Sequence, residues 1–142
     1  MGRLLAIDYG KKRTGIAVSD SLQLIANGLT TVATVQLFDF LADYLQRAEV
    51  ERIVVGFPRQ NNGEDSENMR RITPFVNRLR RLYPNLPVDM YDERFTSVLA
   101  HRVMIDSGIG RKARQNKELV DKISATIILE DYMEARRLQN NC

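Results

Sequence analysis

Three carboxylates in this chain stand where carboxylates do chemistry. Asp8 closes the apolar run Leu4-Leu5-Ala6-Ile7, which reads as a buried strand. Acids rarely occupy such strands unless they are paired or bind metal. Glu93 follows a second strand-like segment, Val88 to Asp92, and Asp121 lies in a long helical pattern near the C-terminus. Ala125 and Leu129 follow Asp121 at one and two turns, which puts the acid on the small, apolar side of that helix. Acids from two strands and a helix converge only if the helix packs over the strands. Once converged they repel and need cations, and oxygen-only ligation suits Mg²⁺ or Mn²⁺. A pair of such ions can activate water and stabilise the leaving oxygen in phosphodiester hydrolysis. No Cys or His cluster points to zinc, and His101 is the only histidine. Taken singly, the bland reading of each acid is a cap or a surface charge, evenly balanced for Glu93, favoured for Asp121 as the partner of Lys117 one turn earlier, and weakest for Asp8 inside its strand.

Cations flank these acids. Lys11, Lys12 and Arg13 follow Asp8 in a turn between Gly10 and Gly15, suited to phosphate contacts or to a solvated hairpin. Thr14 and Gly15 are further candidates for backbone donors. Arg94 adjoins Glu93 and fits either a phosphate contact or a counter-charge for the acids, the second being preferred because a buried cluster needs one. Arg111, Lys112, Arg114 and Lys117 form a run without an acid just before the Asp121 helix. That run is the candidate nucleic-acid clamp, since phosphate neutralisation supplies most non-specific affinity. Arg70, Arg71, Arg78, Arg80 and Arg81 are expected on the solvated face of their helix, and Asp20, Asp89 and Asp92 in structural roles.

The elements that position these residues alternate in type. Residues 3–8 and 15–19 form a hairpin, and the Thr- and Val-rich stretch 29–35 a third strand. Leu37, Phe40, Leu41, Tyr44 and Leu45 recur at helical spacing over 36–48. The run 52–58 is continuous and β-branched, as in a strand buried on both faces. Ser66 can cap the next helix, whose apolar stripe is Ile72, Phe75, Val76, Leu79 and Leu82. Pro74 falls inside it, and one kinked helix is preferred to a shorter helix capped by Thr73. Strand 88–92, helix 98–106, a basic loop and a helix over 117–138 complete the order. Three antiparallel strands followed by βαβ units predict an α/β fold, a mixed five-stranded sheet flanked by helices. One domain over 1–138 with a flexible tail at 139–142 fits the length of 142 residues.

The motifs resemble those of a known family. Ile7-Asp8-Tyr9-Gly10 through Arg13, Gly15, Ala17, Ser19 and Asp20 is similar to the opening motif of the YqgF family. These are small bacterial proteins of ribonuclease H-like fold, related to Holliday-junction resolvases and described as pre-16S rRNA nucleases. Val54-Val55-Gly56-Phe57-Pro58 with Gly63 resembles the second motif, with Phe57 where Leu is frequent. Asp92-Glu93-Arg94-Phe95-Thr96-Ser97 resembles the Asp-Glu-Arg-x-Thr signature. Lys117 through Asp121, Ser124-Ala125 and Ile128-Leu129 resembles the closing helix, with Ser124 where Ala is common. The resemblance implies Asp8, Glu93 and Asp121 as metal-binding catalytic acids, and a role in rRNA processing that composition does not show.

Composition sets outer bounds. With 44% apolar and 27% charged residues the chain is an ordinary globular one, and disorder is excluded. A net charge of +3 permits a polyanionic partner. The single cysteine, Cys142, excludes an internal disulfide and suits a reducing compartment. No signal pattern or long apolar run appears, so a cytoplasmic protein without membrane association is expected, as monomer or weak homodimer. The leading expectation is a metal-dependent endonuclease processing the 5′ end of pre-16S rRNA, with ribosomal particles as possible partners. A Holliday-junction resolvase acting on branched DNA is the nearest alternative, and a non-catalytic nucleic-acid-binding module the next. Asp8-x-Gly10 with Gly15 also resembles the phosphate hairpin of sugar kinases and actin-like ATPases, but those need two such domains.

Overall fold

A computed structural model of the chain describes residues 2–57, 69–92 and 116–140. Five strands form one sheet: β1 (Arg3–Asp8), β2 (Arg13–Ser19), β3 (Ala26–Ala33), β4 (Val50–Phe57) and β5 (Val88–Asp92). Their order is β3-β2-β1-β4-β5. β1 pairs antiparallel with β2 and parallel with β4, β2 pairs antiparallel with β3, and β4 parallel with β5. The expected mixed sheet with three antiparallel strands is therefore present. Central β1 has neighbours on both sides and helices on both faces, which is why its sequence is an unbroken apolar run.

Three described helices cover the sheet: α1 (Leu37–Arg47), α2 (Met69–Leu82) and α3 (Lys117–Asn140). α1 buries Leu37, Leu41 and Tyr44, and α2 buries Ile72, Phe75, Val76 and Leu79. Both stripes pack on one sheet face against Leu5, Ile7, Ile16, Val18, Ile53 and Val55. Each fully buried Leu or Ile contributes about 1.5–3 kcal/mol of transfer free energy to this layer. The other face is lined by smaller side chains, Ala6 and Ala17 beside Leu4 and Val54, and receives Ala125, Ile128, Leu129, Tyr132 and Met133 of α3. Small residues on both sides let α3 approach the sheet closely. Asn116 caps that helix: its Oδ1 accepts from the N–H groups of Glu118 and Leu119 at 3.0 and 3.2 Å.

Element boundaries shift where tertiary pairing overrides local propensity. β3 begins at Ala26, because Ala26 and Asn27 pair with Ser19 and Val18 of β2. It ends at Ala33, where a 3-10 turn over Thr34–Gln36 takes over. α2 runs through Pro74 as one helix. α3 continues two residues past the expected end at 138. The Ser66 cap, the helix over 98–106 and the basic loop lie outside the described residues.

Candidate active site

Strand alternation puts Asp8 on the α3 face, in line with Leu4 and Ala6 of the second core cluster. Its register partners are Gly15 on β2 and Gly56 on β4. With glycines on both sides, the sheet surface around Asp8 is bare of side chains. The helix uses that gap. A β-carbon built on Gly15 would overlap the main-chain carbonyl of Asp121 and lie 3.1 Å from the Lys122 nitrogen. The backbone of α3 at Asp121 therefore rests directly on the strand position adjacent to Asp8. One missing side chain thus lets the helix backbone at Asp121 settle beside the strand position of Asp8.

Arg13 supplies the countercharge. It shares the α3 face of β2 with Gly15 and Ala17, and its Nε donates to Asp121 Oδ2 at 2.9 Å. Sequence spacing had offered Lys117 as the ion partner of Asp121; the structure supplies Arg13 from a strand instead. Burial beneath the helix pushes the Asp121 carboxyl above its usual value. The Arg13 hydrogen bond and charge oppose that rise without cancelling it, and Glu118 adds to it.

Gly15 lies within the ladder, paired to Asp8 and Thr31, and does not form part of the turn. Thr14 is fully buried, and its hydroxyl lies 2.9 Å from that of Thr34, which donates to the Gly10 carbonyl at 2.7 Å. The Thr34 N–H also reaches the Lys12 carbonyl at 3.0 Å. These bonds clamp the turn that carries Lys11 and Lys12, both exposed at the Asp8 end of the sheet. Thr14 thus serves the turn rather than a phosphate. Among the other acids, Asp20 accepts the Leu24 and Ile25 N–H groups at 2.8 and 2.9 Å. Asp89 pairs with Arg52 at 2.8 Å and accepts the Tyr132 hydroxyl at 2.5 Å. Both do the structural work expected of them.

Glu93, Arg94, Arg111, Lys112 and Arg114 lie outside the described residues. Among the described residues no group of three or more His, Cys, Asp or Glu gathers to hold a metal. The two acids on this face, Asp8 beside Gly15 and Asp121 above it, are oxygen donors alone. That set fits a hard divalent cation, which would also offset the burial cost that raises Asp121. Sequence reasoning missed the role of Gly15. The signal was available in retrospect, since a glycine inside a strand pattern marks a close backbone approach.

Comparison with known proteins agrees with the fold. Residues 2–135 match the family model described as "RuvX: Holliday junction resolvase". A protein of Phocaeicola vulgatus named "Putative pre-16S rRNA nuclease" is 63% identical over 137 residues, covering 96% of this chain and 99% of its own. One of the same name from Bacteroides fragilis is 60% identical over 138 residues, covering 97% and 100%. Among solved structures, the fowlpox virus Holliday junction resolvase aligns with a TM-score of 0.58 at 12% identity, over 94% of this chain and 98% of that one. RuvC of T. thermophilus, in complex with a Holliday junction substrate, gives 0.56 at 17% identity over 96% of each chain. At those identities the likeness is one of fold, and it is the ribonuclease H-like sheet that the opening motif implied. With residues 2–135 matched, the chain belongs to the RuvX family, to which its YqgF-type motifs had pointed.

Proposed function

We propose that this protein is a divalent-metal-dependent endonuclease that hydrolyses phosphodiester bonds in the 5′ region of pre-16S rRNA. The observation that carries the reading is the seating of α3 on Gly15, which sets Asp121 over the strand neighbour of Asp8. In the proposal Asp8, Glu93 and Asp121 hold Mg²⁺ or Mn²⁺, which when bound would activate water and neutralise charge on the scissile phosphate. The chain's own groups do the rest. Arg13 holds the Asp121 carboxylate in place through its Nε. Lys11 and Lys12, fixed by the Thr14–Thr34–Gly10 bonds, neutralise substrate phosphates next to the acids. Arg94, Arg111, Lys112 and Arg114 are proposed as further phosphate contacts. The names of the relatives at 60% identity and above favour pre-rRNA, free or within ribosomal precursor particles, and hence a cytoplasmic setting.

A second reading, resolution of four-way DNA junctions, is favoured by the family description. Symmetric resolution needs two active sites, so it requires a dimer. Purified protein incubated with a pre-16S rRNA 5′ fragment, single-stranded RNA and a four-way junction, with Mg²⁺, Mn²⁺ or chelator, separates the two. Metal-dependent cleavage of the rRNA fragment, lost in Asp8→Asn and Glu93→Gln, is expected. Equal cleavage by wild type and both variants would overturn the site. Paired cleavage of the junction by a dimer would transfer the substrate to DNA, and binding without cleavage would leave a binding module.

A further inference from the structure

Across the end of the sheet from Asp8 lies a second feature. Tyr9 follows Asp8 in the chain and points to the opposite face, where its ring stacks on Phe75 with centroids 4.8 Å apart. Phe38 lies 5.3 Å from Phe75, and the Arg78 guanidinium sits 4.2 Å over the Phe38 ring. Together with Arg71 these residues line a cavity of about 220 Å³. That volume is below the ~300 Å³ of pockets for drug-sized ligands and suits one planar group. Thr34 also lines it, and the same Thr34 hydroxyl ties down the Gly10 turn beside Asp8. Thr34 thus ties the cavity wall to the turn that carries the exposed Lys11 and Lys12.

Among the described residues the charged groups that line the cavity, Arg71 and Arg78, are both cations. Over Met69–Leu82, α2 carries Arg70, Arg71, Arg78, Arg80 and Arg81 and no acid. Arg80 is engaged with the Val88 carbonyl at 2.9 Å. Aromatic rings interleaved with guanidinium groups are the composition that holds unpaired bases and their phosphates. Guanidinium suits both tasks, since its plane stacks and its charge neutralises phosphate.

We infer that this crevice is a nucleotide-binding subsite that seats one unpaired base of a single-stranded RNA segment. The base stacks among Tyr9, Phe38 and the Arg78 plane, and Arg71 and Arg78 hold the flanking phosphates. The strand then runs over Lys11 and Lys12 to the acids on the other face. The inference rests on the proposed nuclease reading and adds a preference for single-stranded RNA beside the cleavage point. Duplex RNA cannot offer a free base face to it.

The test measures binding apart from cleavage. Fluorescence anisotropy with a labelled oligouridylate, in chelator, compares wild type with Phe38→Ala and with Arg71→Gln/Arg78→Gln. Phe38→Ala should weaken binding about tenfold with the salt dependence unchanged. The double arginine variant should weaken it and flatten the salt dependence. Duplex RNA should bind more weakly than the oligouridylate. Unchanged affinity in both folded variants, or tighter binding of the duplex, would overturn the subsite. Photocrosslinking of wild-type protein with 4-thiouridine RNA needs no variant: adducts should map to Tyr9 or Phe38, and adducts only elsewhere would overturn it. Failure of the nuclease reading shows separately, as undiminished cleavage by Asp8→Asn.

Discussion

The main-chain carbonyl of Asp121 occupies the space that a β-carbon on Gly15 would need. The clash would be with helix backbone, which no rotamer change relieves. Gly15→Ala should therefore lift α3 from the sheet and cost about 3 kcal/mol or more, the upper range for overpacking. Gly28 provides the contrast. A β-carbon there meets side-chain atoms only, the Lys122 Cγ at 2.7 Å and the Thr126 Oγ1 at 3.1 Å, so side chains and not helix backbone must give way. Gly28→Ala should cost about 1–2 kcal/mol, less than Gly15→Ala. Urea unfolding of the two variants checks the difference, and equal losses would remove close helix approach as the role of Gly15.

Ser124 is buried at 1% exposure, and its Oγ has no hydrogen-bond partner among the described residues. A buried hydroxyl without a partner is a net cost, so Ser124→Ala should stabilise by about 1 kcal/mol. For a chain of this size that is roughly 4 °C in Tm. Calorimetry decides the matter, and a lower Tm in the variant would show that the hydroxyl is satisfied in solution.

In the proposed site a divalent cation would compete with Arg13 for the Asp121 oxygen that Arg13 already holds. Arg13→Gln frees that oxygen, at a stability cost of about 1 kcal/mol or less for a partly exposed pair. The variant should show a larger Mg²⁺-induced rise in Tm than wild type. An identical rise in both proteins would place the cation away from Asp121.

The Asp20 carboxyl titrates below its ordinary value, chiefly because the Ile25 N–H donates to it, with Leu24 adding a second bond. A group whose pKa is depressed by folding stabilises the native state above its unfolded pKa. That contribution disappears as pH falls through the lower folded value. Asp20→Ala should thus be less stable than wild type at pH 7, with the gap closing below about pH 4. Thermal melts across that range test it, and a gap that widens with acid would contradict the sign.

The candidate site was partly legible from sequence. Asp8 stood out because an acid ended an apolar run, and Asp121 because Ala125 and Leu129 share its side of the helix. Glu93 and the cations of the basic loop remain proposals of the sequence pattern and the family resemblance. The arginines of α2 were expected only to solvate a helix. Their neighbours Tyr9 and Phe38 come from other segments, so helical periodicity could not reveal the crevice.

The sequence by itself determined the strand and helix types, the burial of β1 and the faces of α1 and α2, except that Leu82 of the expected stripe is exposed. Those follow from apolar periodicity, which is a local property. Tertiary structure alone decided that Arg13 pairs with Asp121, 108 residues away, and that Gly15 is the seat of a helix. It also decided that β3 extends through Asn27 and Gly28, residues with poor strand propensity. In each case the deciding energy is a contact between segments distant in sequence, available only after the sheet has formed.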